Sequence, residues 1–176
     1  MHTKAVYRGA EALSDVGFVA LRCNFRGVGA STGSYDGGIG EENDVLDALN
    51  WLQAEYSGLP LIVGGVSFGS LLGMRVGAAD SRVLGLFGMG LPINLERYDY
   101  SFLSGMEKPV LVVQGERDEF GTGEEAAELI TGLGEHIRLV RIPDSDHYFT
   151  GCWDELKGAL RGYYESGPGF PLMLPV

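Results

Sequence analysis

One stretch constrains this chain more than any other: LPLIVGGVSFGSLLGMRVGAA, residues Leu59 to Ala79. It opens with Leu61, Ile62 and Val63, an apolar run of the length expected for a strand buried on both faces. It closes with Leu71, Leu72, Met74, Val76 and Ala78 at mixed helical spacing. Between the two lies G-x-S-x-G, from Gly65 through Ser67 to Gly69. A strand that turns at once into a helix holds its pivot residue in a strained conformation, and glycines two residues either side remove side chains that would collide there. The hydroxyl of Ser67 is thereby left at the tip of the turn, facing the free N–H groups of a helix N-terminus. That is a place for a nucleophile. The pattern alone is weak in a chain with 28 glycines, where a glycine-rich turn that merely packs tightly is the competing reading.

Size and charge narrow the field. The 176 residues fit one domain with its own core, and 45% hydrophobic with 21% charged residues is ordinary globular composition. Acidic residues outnumber basic ones 24 to 13, a net charge of −11 spread along the chain. Nucleic-acid binding needs a basic stripe to displace counterions, and an acidic surface disfavours anionic membranes. Neither partner is therefore expected. No apolar run approaches a membrane span, and the first residues lack the layout of a leader peptide, so a cytoplasmic setting is expected. Cys23 and Cys152 stand far apart in unlike contexts, which argues against a disulfide framework. Cys23 reads as a small core residue of a strand. No Cys/His cluster has metal-ligand spacing, and no metal or cofactor is expected.

Along the chain, residues 2–16 read as a helix stopped by Gly17, and FVALRCNF (Phe18 to Phe25) as a strand. A glycine-rich loop follows from Arg26 to Gly38, then an amphipathic helix from Glu41 to Tyr56 with acids in its first turn. After the central strand and helix come a strand at Val83 to Gly90, an irregular stretch from Pro92 to Met106 and a strand at Val110 to Gln114. A helix at Thr122 to Leu133, a strand at Ile137 to Ile142 and a helix at Thr150 to Tyr164 complete the series. Five strands alternating with helices predict an α/β fold, a three-layer α/β/α sandwich around a mostly parallel sheet. Residues 1–165 form one domain in this reading, and 166–176 a loose tail. Functional groups of open α/β sheets collect beyond the carboxyl ends of the strands.

Serine is a weak nucleophile without a general base, usually a histidine held by a carboxylate. Of three histidines, His2 is terminal and His136 precedes a strand, at the wrong end of the sheet. His147, in PDSDHYF, follows the last strand. Asp118, in QGERDEF, follows the strand before it, with Glu116 and Glu119 as neighbours that could replace it. Asp144 and Asp146 are closer to His147 in sequence, but a tight loop seldom aligns such neighbours with Nδ1. Ser67, Asp118 and His147 thus each follow a strand at one sheet edge, in the order Ser, Asp, His. Phosphate-binding readings fail on spacing: Gly27, Gly29 and Gly33 are one residue too long for the dinucleotide fingerprint, and no Walker lysine follows a glycine run. Arg26 could steer an anionic substrate, though pairing with one of the many carboxylates is favoured.

With these residues and NFRGVGASTGSYDGGIGE, the chain resembles the α/β-hydrolase superfamily from residue 2 to about 164, and in particular its small bacterial members without a cap. The resemblance implies a reduced α/β-hydrolase fold with Ser67 as nucleophile, Asp118 orienting the base and His147 as base. It also implies an oxyanion-hole N–H from Phe68. Relatives carry further strands before the first helix and a loop that supplies a second oxyanion donor, so this chain reads as N-terminally short. The strand normally lying between those at 18–25 and 60–66 is missing. Three arrangements would answer that: direct pairing of the two strands, a partner chain or the tail in the slot, or a longer parent protein. Direct pairing keeps a right-handed crossover and is the favoured expectation; dimerisation through the slot is a weaker one.

The reading as a whole is a serine hydrolase acting on small to medium carboxylic esters through an acyl-enzyme. A peptidase, a thioesterase or a catalytically silent binding module on the same fold stand as alternatives.

Overall fold

The computed structural model describes residues 4–95 and 98–166. The expected tail beyond residue 166 lies outside them. Four strands, β1 (Leu61–Val66), β2 (Val83–Met89), β3 (Val110–Gly115) and β4 (Ile137–Ile142), form one all-parallel sheet in sequential order. The helices are α1 (Lys4–Asp15), α2 (Ile39–Glu55), α3 (Phe68–Ala79), α4 (Gly123–Leu133) and α5 (Trp153–Ser166). Leu91 to Lys108, between β2 and β3, carries a short 3-10 turn at Ser101–Leu103 among its described residues.

The period-two geometry of β3 shows how the layers form. Val110 and Val112 point into a core with Leu71, Leu72 and Met74 of α3 and Val45 and Leu49 of α2, against which Leu129 and Ile130 of α4 pack. Leu111 and Val113 point to the opposite face, into a core with Ala5 and Leu13 of α1 and Leu156 and Leu160 of α5. All four β3 valines and leucines are fully buried, which is why the strand reads as a continuous apolar run. The outcome is the three-layer sandwich the alternation of elements predicts.

Because the strands are parallel and in register, their carboxyl ends share one edge. Val66 pairs with Met89, Met89 with Val113, and Gly115 with Ile142. Ser67, Gly90, Asp118 and His147 all follow on that edge.

One expected strand is absent. FVALRCNF forms no ladder with β1 or any other described strand, so the sheet has four strands, not five, and the favoured direct pairing does not occur. The segment is pinned at both ends instead. Phe18 donates its N–H to Leu13 O and sets its ring edge-on to Tyr164, while the Arg26 N–H reaches Asp44. Residues 19–23 between these anchors are exposed, which leaves their backbone groups to water. Cys23 is accordingly exposed, not part of the core.

Candidate active site

The elbow is built by close approach of α3 to β1. A Cβ on Gly64 would lie 2.0 Å from the Phe87 carbonyl oxygen, and one on Gly65 would lie 2.5 Å from the backbone of Gly69. Only glycine fits at either place. Gly69 differs: a Cβ there would meet nothing nearer than the Phe25 ring at 3.7 Å, an ordinary contact. The close approach thus demands glycine at 65 and leaves room for a Cβ at 69.

Ser67 adopts φ 55° and ψ −123°, outside the regions open to a residue with a Cβ. Such a conformation costs about 1–3 kcal/mol and persists only where its surroundings over-determine it. They do so here. Its N–H donates to Met89 O at 3.0 Å, and its carbonyl accepts from Ser70 N at 2.9 Å and Ser70 Oγ at 2.5 Å. The N–H of Phe68 opens α3, in the turn whose donors have no intrahelical acceptor.

His147 and Asp118 form a buried pair. Nδ1 lies 2.8 Å from Oδ2 and 3.0 Å from Oδ1, with the ring 2% exposed and the carboxylate fully buried. A buried carboxylate is costly unless its lone pairs are filled. Here Oδ1 also accepts from Phe120 N at 2.8 Å, and Oδ2 from Gln114 Nε2 at 2.9 Å. An imidazole donating from Nδ1 to a carboxylate presents Nε2 as an acceptor. The rings of Phe120 and Tyr148 stand edge-on to the imidazole at 4.7 and 5.1 Å.

The two loops are stitched together. Arg117 N donates to Ser145 O, and a Cβ on Gly115 would lie 2.5 Å from that same oxygen. Asp146, rejected above as the orienting acid, accepts from Tyr148 N and Thr150 N and so shapes the loop that carries the histidine. The Thr150 hydrogen bond holds the Asp146 carboxyl below the usual carboxylate range, against the opposing effect of burial. Glu116 pairs with Arg141, and Glu119 makes only a long 3.5 Å contact with the His147 N–H. Neither replaces Asp118. His136 sits just before β4, at the far end of the sheet, as expected.

The end of β2 lies between the elbow and the imidazole. Met89 O accepts from Ser67, and a Cβ on the next residue, Gly90, would lie 3.3 Å from His147 Nδ1. Among the described residues the Ser67 hydroxyl makes no hydrogen bond to the ring. Catalytic hydrogen bonds are commonly long before substrate enters.

Beside the elbow is a pocket of about 130 Å³, lined by Tyr35, Phe68, Leu71, Leu72, Arg75 and Tyr98. The Phe68 ring contacts Phe25, Tyr35 and Tyr98 edge-on at 5.6 to 6.4 Å. Arg75 is paired with Glu42 at 2.9 Å. Arg26 is likewise committed, gripping Asp44 through Nε and Nη2, which is the pairing favoured from sequence.

Two polar residues of this region have roles that the sequence reading did not assign. Glu41 is 1% exposed and accepts from the N–H groups of Asp36 and Gly38, fixing the loop before α2. Burial pushes its carboxyl up, but those backbone donors and Arg26 outweigh it and hold it below the usual range. Gln114 is fully buried and contacts Asp118. Its signal was legible: it is the one polar side chain in the apolar run VLVVQG.

No group of His, Cys, Asp and Glu among the described residues could hold a metal ion. No described helix is long and apolar enough to cross a membrane.

Comparisons with known proteins bear on the family and the fold. Residues 37–154, more than half of the chain, match the alpha/beta hydrolase domain family. An uncharacterised protein of Rickettsia prowazekii is 32% identical over 170 residues, covering 93% of this chain and 71% of that protein. An alpha-beta serine hydrolase homologue from Coxiella burnetii superposes with a TM-score of 0.85 at 31% identity, over 92% of this chain and 76% of that one. A lidless a/b serine hydrolase of Xanthomonas campestris gives 0.84 at 34% identity, over 97% and 77%. The chain belongs to the alpha/beta hydrolase family, and to its members without a cap. Hydrolase activity is what that membership supports.

Proposed function

We propose that this protein is a serine esterase cleaving carboxylic esters of small to medium acyl chain, with Ser67 as nucleophile, His147 as general base and Asp118 as its orienting acid. Ser67 Oγ gives its proton to His147 Nε2 and bonds to the acyl carbon. The carbonyl oxygen takes the negative charge, and the Phe68 N–H stabilises it. His147 then protonates the departing alcohol. A water, deprotonated by the same ring, cleaves the acyl-enzyme and restores the hydroxyl. Asp118 orients the ring and stabilises the imidazolium.

The observation that carries this reading is the buried His147–Asp118 pair, with both carboxylate oxygens hydrogen-bonded, on the same sheet edge as a strained serine elbow. Hydrolysis of p-nitrophenyl acetate tests it: the His147→Ala variant should lose roughly 10³-fold or more in kcat, since the base acts on both half-reactions. Equal rates in folded wild type and variant would remove His147 from the mechanism.

A further inference from the structure

Gln114 is a residue whose presence the sheet alone does not explain. It occupies the carboxyl end of β3, fully buried, where Leu111, Val112 and Val113 show that the strand accommodates apolar side chains. Burying a primary amide is unfavourable unless all its hydrogen-bonding groups are used. Gln114 uses them on two loops at once. Oε1 accepts from Leu91 N at 2.7 Å. Nε2 faces three oxygens: Gly121 O at 2.6 Å, Asp118 Oδ2 at 2.9 Å and Leu91 O at 3.2 Å. A reversed amide would set Oε1 against all three and leave Leu91 N without an acceptor, so the network itself fixes the orientation.

Both Asp118 oxygens are thus tethered from the side away from the imidazole, Oδ1 by Phe120 N and Oδ2 by the Gln114 amide. Two such tethers leave the carboxylate one orientation, with both oxygens toward Nδ1. The same amide ties the end of β2 to that loop, and Gly90 at the end of β2 packs on the His147 ring. We infer that Gln114 is a positioning residue: it holds Asp118 aligned with His147 and couples both to the strand end beside the elbow. The inference rests on the acid–base roles proposed above for Asp118 and His147.

Two variants and two readouts test it. Gln114→Met keeps the length and removes both hydrogen-bonding groups. Gln114→Glu keeps an acceptor for Leu91 N and removes the donor to Asp118. The first readout is the downfield proton NMR resonance of His147 Nδ1–H, which reports a ring held against a carboxylate whether or not the protein turns over. The second is the kcat and KM of p-nitrophenyl acetate hydrolysis. In variants with wild-type circular dichroism, the resonance should broaden or vanish. In them kcat should fall roughly 10- to 100-fold, with KM within about twofold, as for loss of one hydrogen bond to a charged group. Folded variants with the wild-type resonance and wild-type kcat would overturn the assignment. Should Gln114→Met not fold, Gln114→Glu decides alone. If wild type hydrolyses no ester, the catalytic reading falls and the resonance still decides whether Gln114 positions the pair.

Discussion

On one side of Ser67 the ends of β2, β3 and β4 are bound to one another by hydrogen bonds of Gln114, Arg117 and His147. On the other side β1 ends the sheet, and the extended segment 18–25 runs past it without forming a ladder. The two edges of the sheet differ too. β4 carries Arg138 and Arg141, charges of the kind that deter pairing with another chain, whereas LIVGGV of β1 carries none. The difference teaches that the acid–base half of such a site can be complete without help from the β1 side. Among the described residues the hydrogen bonds to the Asp118 and His147 side chains come from Gln114, Phe120 and the pair itself. The strained serine is held by Met89 and Ser70.

The largest expected effect tests the complete side. Asp118→Asn keeps the shape but loses the charge that fixes the tautomer of His147, and kcat should fall about 10⁴-fold in ester hydrolysis. A loss under about tenfold would mean that another carboxylate does the work.

Next comes the elbow itself. Gly65→Ala should destabilise by about 1–3 kcal/mol in urea denaturation, because its methyl lands 2.5 Å from the Gly69 backbone. Gly69→Ala should stay within about 0.5 kcal/mol of wild type, its neighbour being a ring at 3.7 Å. Equal costs would refute the asymmetry between the two motif glycines.

The anchored point of the open side should show in acid. The Arg26 hydrogen bond holds the Asp44 carboxyl below its ordinary 3.8, and the Arg82 bond does the same for Asp80. A carboxylate depressed in the folded state adds stability above its unfolded value and loses it as pH falls toward the folded one. Thermal midpoints should therefore drop as pH is lowered from 5 through 3.8, and Asp44→Asn should lessen that drop. An identical drop in the variant would mean the Arg26–Asp44 clamp does not contribute to folding.

The smallest effect belongs to the open segment. Val19, nearly half exposed, should tolerate Val19→Ser within about 0.5 kcal/mol. A larger loss that depends on protein concentration would show that a second chain covers this side, breaking the comparison.

Much of this was legible in the chain. Strand β3 is an apolar run buried on both faces, and helices such as α4 carry their own caps, Thr122 and Glu125 bonding reciprocally. Ser67, Asp118 and His147 stood out because each follows a strand. FVALRCNF misled because apolar content shows that a segment can be a strand, while a strand also needs a neighbour in register. The partners of Glu41 and Gln114 lay out of sight because they sit on loops whose paths no local pattern encodes, although Gln114 itself stands out as the polar side chain of an apolar strand.

The account's central claim is that the Ser67 hydroxyl is a nucleophile activated from the ends of β3 and β4. A fluorophosphonate probe followed by peptide mass spectrometry measures this directly. The account predicts one phosphonyl adduct, on Ser67, absent in Ser67→Ala and greatly slowed in His147→Ala. Folded wild-type protein that takes up no probe, or takes it up elsewhere, would contradict it.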